Sequence, residues 1–113
     1  MTSLTDAVLR EGTDDWVPFR TVHALAYTAT PNTDELSRRQ SAIDAVRELL
    51  SDKLIEIGAV TDHGFAAWST PLPGLNDFAR EYLAADAAAE DDWGFRFWLS
   101  NTPAGDERAH RID

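Results

Sequence analysis

The titratable side chains of this chain are spaced for little chemistry. Its three histidines are His23, His63 and His110. None lies four residues from another, the spacing that sets two imidazoles on one helix face to hold a metal. Adjacent acids occur at Asp14-Asp15 and Asp91-Asp92. Neighbours in a strand or loop point apart, so neither pair makes a shared-proton dyad, and capping is the better reading. The chain has no cysteine, hence no disulfide, thiolate ligand or thiol nucleophile. It has no Gly-x-Ser-x-Gly, no phosphate-cradling glycine loop and no Gly-x-Gly-x-x-Gly. No catalytic residue, no metal and no cofactor is expected.

Two other sets of residues could bind a partner. Arg38, Arg39, Gln40 and Arg47 are of the types that touch phosphates and base edges. The aromatics Trp16, Phe65, Trp68, Trp93, Phe95, Phe97 and Trp98 all fall on or beside expected strands. Most should be core. A small sheet leaves one face of the last strand in need of cover, however. Trp98 beside Arg96, with Trp68 nearby, would then be exposed aromatic-plus-arginine chemistry suited to a protein interface.

The charge balance weighs on that choice. Twenty acids against ten bases give a net charge of −10 over 113 residues. Such a chain repels a phosphate backbone at long range and needs a local basic patch to hold one. Residues 36–53 are the one slightly basic stretch, and 54–93 the most acidic. Hydrophobic content of 43% suffices for a packed core. No apolar run approaches the roughly 20 residues of a spanning helix, and the N-terminus has no basic-then-apolar signal. The expectation is a soluble, cytoplasmic single domain without membrane contact. Nine Arg to one Lys, with abundant Ala, suits a high-GC bacterial genome.

The elements that must position these residues follow from pattern. Ser3-Leu4-Thr5-Asp6 fits a capping box and Gly12 a helix stop, giving a first helix over 4–11. Trp16 and Val17, before Pro18, suit a short strand, with Pro18 as first residue of a second helix carrying Phe19, Val22, Ala26 and Ala29. Thr30-Pro31-Asn32-Thr33 is a break. Ser37-Arg38-Arg39-Gln40 reads as another capping box, and Ala42, Ile43, Val46, Leu49 and Leu50 form the apolar stripe of a third helix. Residues 54–60 alternate as a half-buried strand, Thr61-Asp62-His63-Gly64 is a turn, and 65–68 a return strand. Pro71-Leu72-Pro73-Gly74 punctuates before a fourth helix marked by Leu75, Phe78, Ala79, Tyr82 and Leu83. It should fray over Ala84–Ala89, before the acids Glu90-Asp91-Asp92. Over 93–99, Trp93, Phe95, Phe97 and Leu99 should share one strand face, and Arg96 and Trp98 the other. The polar tail 102–113 is expected to be mobile.

The segment Ala42-Ile43-Asp44-Ala45-Val46-Arg47-Glu48-Leu49-Leu50-Ser51-Asp52-Lys53-Leu54-Ile55-Glu56 resembles the helix-to-wing passage of bacterial winged-helix regulators. Trp98-Leu99-Ser100-Asn101-Thr102-Pro103-Ala104-Gly105 is similar to the Leu-Thr-x-x-Gly stretch that follows the wing there, with Ser100 and Asn101 inserted. The likeness covers residues 2–68. The chain also resembles small actinobacterial proteins, a likeness that brings no activity with it. The resemblance implies a winged-helix-like α+β domain of three helices and a hairpin (1–68), with a helix-strand extension (69–100). Either strand 65–68 or strand 95–99 could partner strand 54–60.

The same resemblance implies that the third helix reads DNA. Its outward face would be Gln40, Ser41, Asp44, Arg47, Glu48 and Ser51, with Arg38 and Arg39 in the first turn able to reach phosphate. That face carries two acids to one base, and the wing turn offers Asp62 and His63. Carboxylates aimed at a polyanion oppose binding, although a dimer could gather Arg38 and Arg39 from two chains. The expected role is therefore non-enzymatic protein–protein contact or self-association, and a DNA-binding regulator is the alternative.

Overall fold

A computed structural model describes residues 3–30, 33–85 and 93–112. The fraying expected beyond Ala85 and the acids Glu90-Asp91-Asp92 lie outside the described residues.

The first helix, α1 (Leu4–Glu11), starts where Ser3 accepts the Asp6 amide and stops at Gly12. Strand β1 is only Val17–Pro18. Pro18 is the N-cap of α2 (Phe19–Ala29), not its first helical residue, and offers no capping side chain. The orphan amides of that helix start are met from elsewhere. Phe19 N–H donates to Phe97 O at 3.2 Å, and Arg20 N–H to Gly94 O at 2.8 Å.

Helix α3 (Glu35–Ser51) begins earlier than the Ser37–Gln40 pattern suggests. Asp34 is the cap, its carboxylate accepting the Ser37 amide at 2.8 Å. The helix ends in a left-handed turn at Lys53 (φ 59°), with Leu54 N–H returning to Leu49 O at 2.9 Å. That turn aims the chain into β2 (Ile55–Thr61). Gly64 (φ 102°) turns it back into β3 (Gly64–Ala67).

Helix α4 (Pro71–Ala84) takes Pro71 and Pro73 into its first turn, so the stretch read as punctuation is helix. Proline is pre-set for that position and has no amide to leave unpaired. Strand β4 covers Trp98–Asn101 only. Residues 93–96 form a turn, closed by Arg96 N–H on Trp93 O at 3.2 Å. The tail expected to be mobile is instead helix α5 (Pro103–His110). Thr102 caps it on the Gly105 amide, and Ala109 is buried in the core.

All strands run antiparallel in the order β1-β4-β2-β3. Both candidate partners of β2 therefore pair with it, β3 along Gly58–Thr61 and β4 along Ile55–Gly58. The architecture is α+β, five helices among the described residues with one four-stranded sheet. Because β4 separates β1 from β2, a division after Trp68 cuts through the sheet. The row Val17, Leu99, Ile57 forms the buried face. Phe19 sits at the centre, its ring 4.8 Å from Phe78, 4.8 Å from Tyr82 and 5.2 Å from Phe97. Such aromatic pairs contribute about 0.5–1.5 kcal/mol each beyond the area they bury.

Candidate interaction face

The face of the sheet away from the core carries aromatic side chains. Side chains alternate along β4, so Trp98 points outward where Leu99 points in. In register with Trp98 stand Pro18, Gly58 and, beyond, Ala67. These cross-strand neighbours are small, and the indole is half-buried. Gly58 is required here for a second reason. A Cβ would lie 2.1 Å from Ala66 O, so only glycine lets β3 approach so closely.

The turn at 93–96 breaks the expected alternation before β4. Phe95 comes out of the core to 50% exposure and rests against Trp98, the rings 5.8 Å apart. Arg20, from the first turn of α2, lies over Phe95 at 5.5 Å. A second pair, Trp16 and Phe65, meets at 6.1 Å across the start of β1 and the hairpin. Trp16 and Val60 are also exposed.

The three residues singled out for an interface do not come together. Trp98 is on the outer face. Arg96 is an exposed residue of the turn whose guanidinium bonds Glu81 at 2.6 Å. Trp68 belongs to the core side, 5.5 Å from Phe97 and against Gly74. The cation of the aromatic face is Arg20, a residue that sequence reading passed over. Its signal was its place one turn from β1, whose partner strand carries Trp98.

The residues singled out for DNA are committed elsewhere. Arg38 and Arg39 are buried, at 9% and 4% exposure. Arg38 donates to Thr33 O at 2.7 Å and Thr30 O at 3.2 Å and stacks 3.9 Å from the Tyr27 ring. Arg39 donates to Tyr82 O at 2.5 Å and Ala85 O at 2.8 Å, and pairs with Glu35 at 3.0 Å. They join α3 to the α2–α3 loop and to the end of α4. Gln40 donates to Asp44 at 2.9 Å, and Arg47 bonds both Asp44 (3.2 Å) and Asn76 (3.0 Å). α4 thus packs beside the helix that would have to enter a groove.

Around Arg39 lies a polar and aromatic cluster that sequence reading missed. His23 shares a 2.5 Å hydrogen bond with Tyr82, and its ring is 4.7 Å from Trp93. Burial pushes the Tyr82 hydroxyl well above its ordinary range. Tyr27 donates a hydrogen bond to Glu35. That bond, and then Arg39, hold the Glu35 carboxyl below its usual value, while the same bond raises Tyr27. His23 with Tyr82, and Tyr27 and Arg39 with Glu35, bond in pairs that tie α2, α3 and α4 together, while the buried Trp93 Nε1–H beside them has no hydrogen-bond partner among the described residues. His63 sits exposed in the hairpin turn and His110 at the end of α5. Among the described residues no three acids or histidines converge to hold a metal ion, and no helix is long and apolar enough to cross a membrane. No family model, no curated protein and no solved structure matches this chain.

Proposed function

We propose that the chain is a non-enzymatic interaction domain, winged-helix-like in build, that binds protein through the outer face of its sheet. One observation carries this reading: Phe95, 50% exposed, packs on the half-buried Trp98, with Arg20 over Phe95. Aromatic rings with an arginine are the residue types that dominate binding energy at protein interfaces. The order α1-β1-α2-α3-β2-β3 supports the winged-helix-like build, and β4 is an addition between its strands. A cytoplasmic setting goes with this reading. The occupant is a second copy or another protein, and charge separates the two. Two copies each carrying −10 repel, so self-association tightens as salt screens them. Light scattering at low and high salt, with affinity capture alongside, tests wild type against Trp98→Ala and Phe95→Ala. The reading requires that both substitutions weaken the association and leave the circular dichroism spectrum intact. A wild type that stays monomeric at both salts and captures nothing sinks it.

The element order also favours a second reading, a DNA-binding regulator. It has to work without Arg38 and Arg39, whose guanidiniums serve the fold, and against Asp44 and Glu48 on the exposed side of α3. Its test is binding to genomic fragments at low salt, which must weaken steeply as salt rises. An absence of any shift removes it.

A further inference from the structure

Strand β2 runs on past its outer partner by a single residue. β3 pairs with Gly58–Thr61, and Trp68 N–H adds a bond to Ile57 O at 2.9 Å before the chain turns away into α4. On the other flank β4 reaches Ile55, and Thr102 N–H meets Leu54 O at 3.0 Å. Backbone groups alternate sides along a strand. Ile57 O therefore faces β3 and Leu54 O faces the β4 side, which leaves the N–H and the C=O of Ile55 facing the gap below Trp68. Ile55 is 2% exposed, and neither group has a partner among the described residues. Buried backbone groups are almost always paired, so one residue with both its donor and its acceptor unmet stands out.

The gap is a cavity of about 280 Å³, smaller than the pockets that take drug-sized molecules. Leu50, Trp68 and Pro71 give it an apolar wall. Leu50 and Trp68 pack against the same core that buries the Ile55 side chain. Lys53 and Glu56 also line it. Both are exposed, and neither is in an ion pair among the described residues. They bracket Ile55 in order. Lys53 lies on the side of its N–H and Glu56 on the side of its C=O. The cavity thus offers a cation beside a backbone donor, an anion beside a backbone acceptor, and an apolar space between the two.

We propose that this gap binds one free L-α-amino acid with an apolar side chain. A residue opposite Ile55 in an antiparallel ladder donates its N–H to Ile55 O and accepts Ile55 N–H on its own carbonyl. A free amino acid makes the same two bonds with charged groups, its ammonium on Ile55 O and its carboxylate on Ile55 N–H. In that direction its carboxylate end lies towards Lys53 and its ammonium end towards Glu56. Each charge of the zwitterion meets its opposite, and such charge-assisted bonds are the strong ones. Residues directly opposite in a ladder send their side chains to the same face. The L-enantiomer therefore puts its side chain on the core side, between Leu50, Trp68 and Pro71, and the D-enantiomer does not. Trp68 closes the line beside β2 at Ile57, so the ligand is a single residue. The site is separate from the Phe95–Trp98 face and stands without it.

Calorimetry of the full chain with L-leucine, L-isoleucine, L-valine, L-methionine and L-phenylalanine tests the proposal. At least one should bind with a Kd below about 1 mM. Its D-enantiomer, its carboxamide and its N-acetyl derivative should each bind at least about tenfold more weakly, a difference of about 1.4 kcal/mol. Lys53→Met should abolish the preference for acid over amide, and Glu56→Gln the preference for free amine over N-acetyl. Both side chains are exposed, so circular dichroism should show both variants folded. Trp98→Ala and Phe95→Ala should leave the affinity unchanged, so failure of this site and failure of the aromatic face read out separately. An N-acetyl derivative that binds as well as the free amino acid overturns the proposal in favour of the last residue of a peptide. An amide that binds as well overturns it in favour of a first residue. Equal binding of the two enantiomers, or silence of every L-amino acid at about 1 mM, overturns it outright.

Discussion

Arg39 is 4% exposed and holds the end of α4 through two carbonyls, those of Tyr82 and Ala85. Arg39→Met keeps the apolar stem, takes the guanidinium from Ala85 O and leaves Tyr82 O with only the Ala85 N–H. Leaving a buried polar group unmet costs about 1–3 kcal/mol, so a loss of about 1–3 kcal/mol in urea unfolding is expected. Arg39→Lys should recover only part, since an ammonium lacks the planar fork. Glu35 adds a pH signature. Its carboxyl is held low, first by the Tyr27 hydroxyl and then by Arg39. Its contribution is therefore present above its ordinary value of 4.5 and is lost as pH falls through its lower folded value. Asp34, lowered by the Ser37 amide, acts in the same direction. Unfolding of wild type and Glu35→Gln, followed from neutral pH into acid, should show a stability gap that narrows as pH drops. A gap that is constant or widens would contradict the assignment. The place of Arg39 was legible in the sequence. It lies three residues before Ala42 and four before Ile43, in phase with the apolar stripe. Its charge argued for the surface, and the carbonyls that compensate the charge come from residues 43 and 46 positions away.

At the scale of elements, the signals that worked were local. Ser3 capped α1, Gly64 made the hairpin turn and the 42–50 stripe faced the core, each within a few residues of its cause. Those that failed needed a distant partner. The 93–96 turn exists because the start of α2 takes Gly94 O and Phe97 O, which no reading of 93–99 alone could reveal. Helix α5 carried its own start signal, Thr102-Pro103, a capping residue and a proline at the first helical position. Its short, polar sequence argued against packing, and what holds it is Ala109 in the core and Gly105 against Leu54. A Cβ at Gly105 would stand 2.0 Å from Leu54 O. Gly105→Ala must therefore push α5 off the sheet end and should cost about 1–3 kcal/mol, the usual penalty of overpacking. Thr102→Ala removes the cap and the bond to Lys53 O, and should cost about 1–2 kcal/mol. Thermal unfolding of both variants checks this, and wild-type melting points would show α5 to be dispensable.

For the whole molecule, the sheet order governs what can fold alone. Residues 1–68 contain α1 to α3, β1, β2 and β3. Yet β1 touches the sheet through β4, since its partners are Leu99 and Trp98. A fragment of residues 1–68 lacks that strand, and also Phe78, Tyr82 and Phe97 from around Phe19. It is expected to give an amide proton spectrum without dispersion, where the full chain gives a folded one. A folded fragment would mean that the hairpin closes the core by itself.

That central strand also sets an order in time. A ribosome delivers the chain from its N-terminus, so β1 and β2 emerge well before Trp98–Asn101, the strand that must lie between them. Until then Ile55, Ile57 and Val17 have no completed sheet to enter. Pairings between residues so far apart in sequence are slow to form. During synthesis the chain therefore passes through a period in which β2 lacks one flank and is open to pairing with another chain. Chaperone demand and inclusion-body formation should then follow the pace at which the codons between β3 and β4, residues 68–101, are translated.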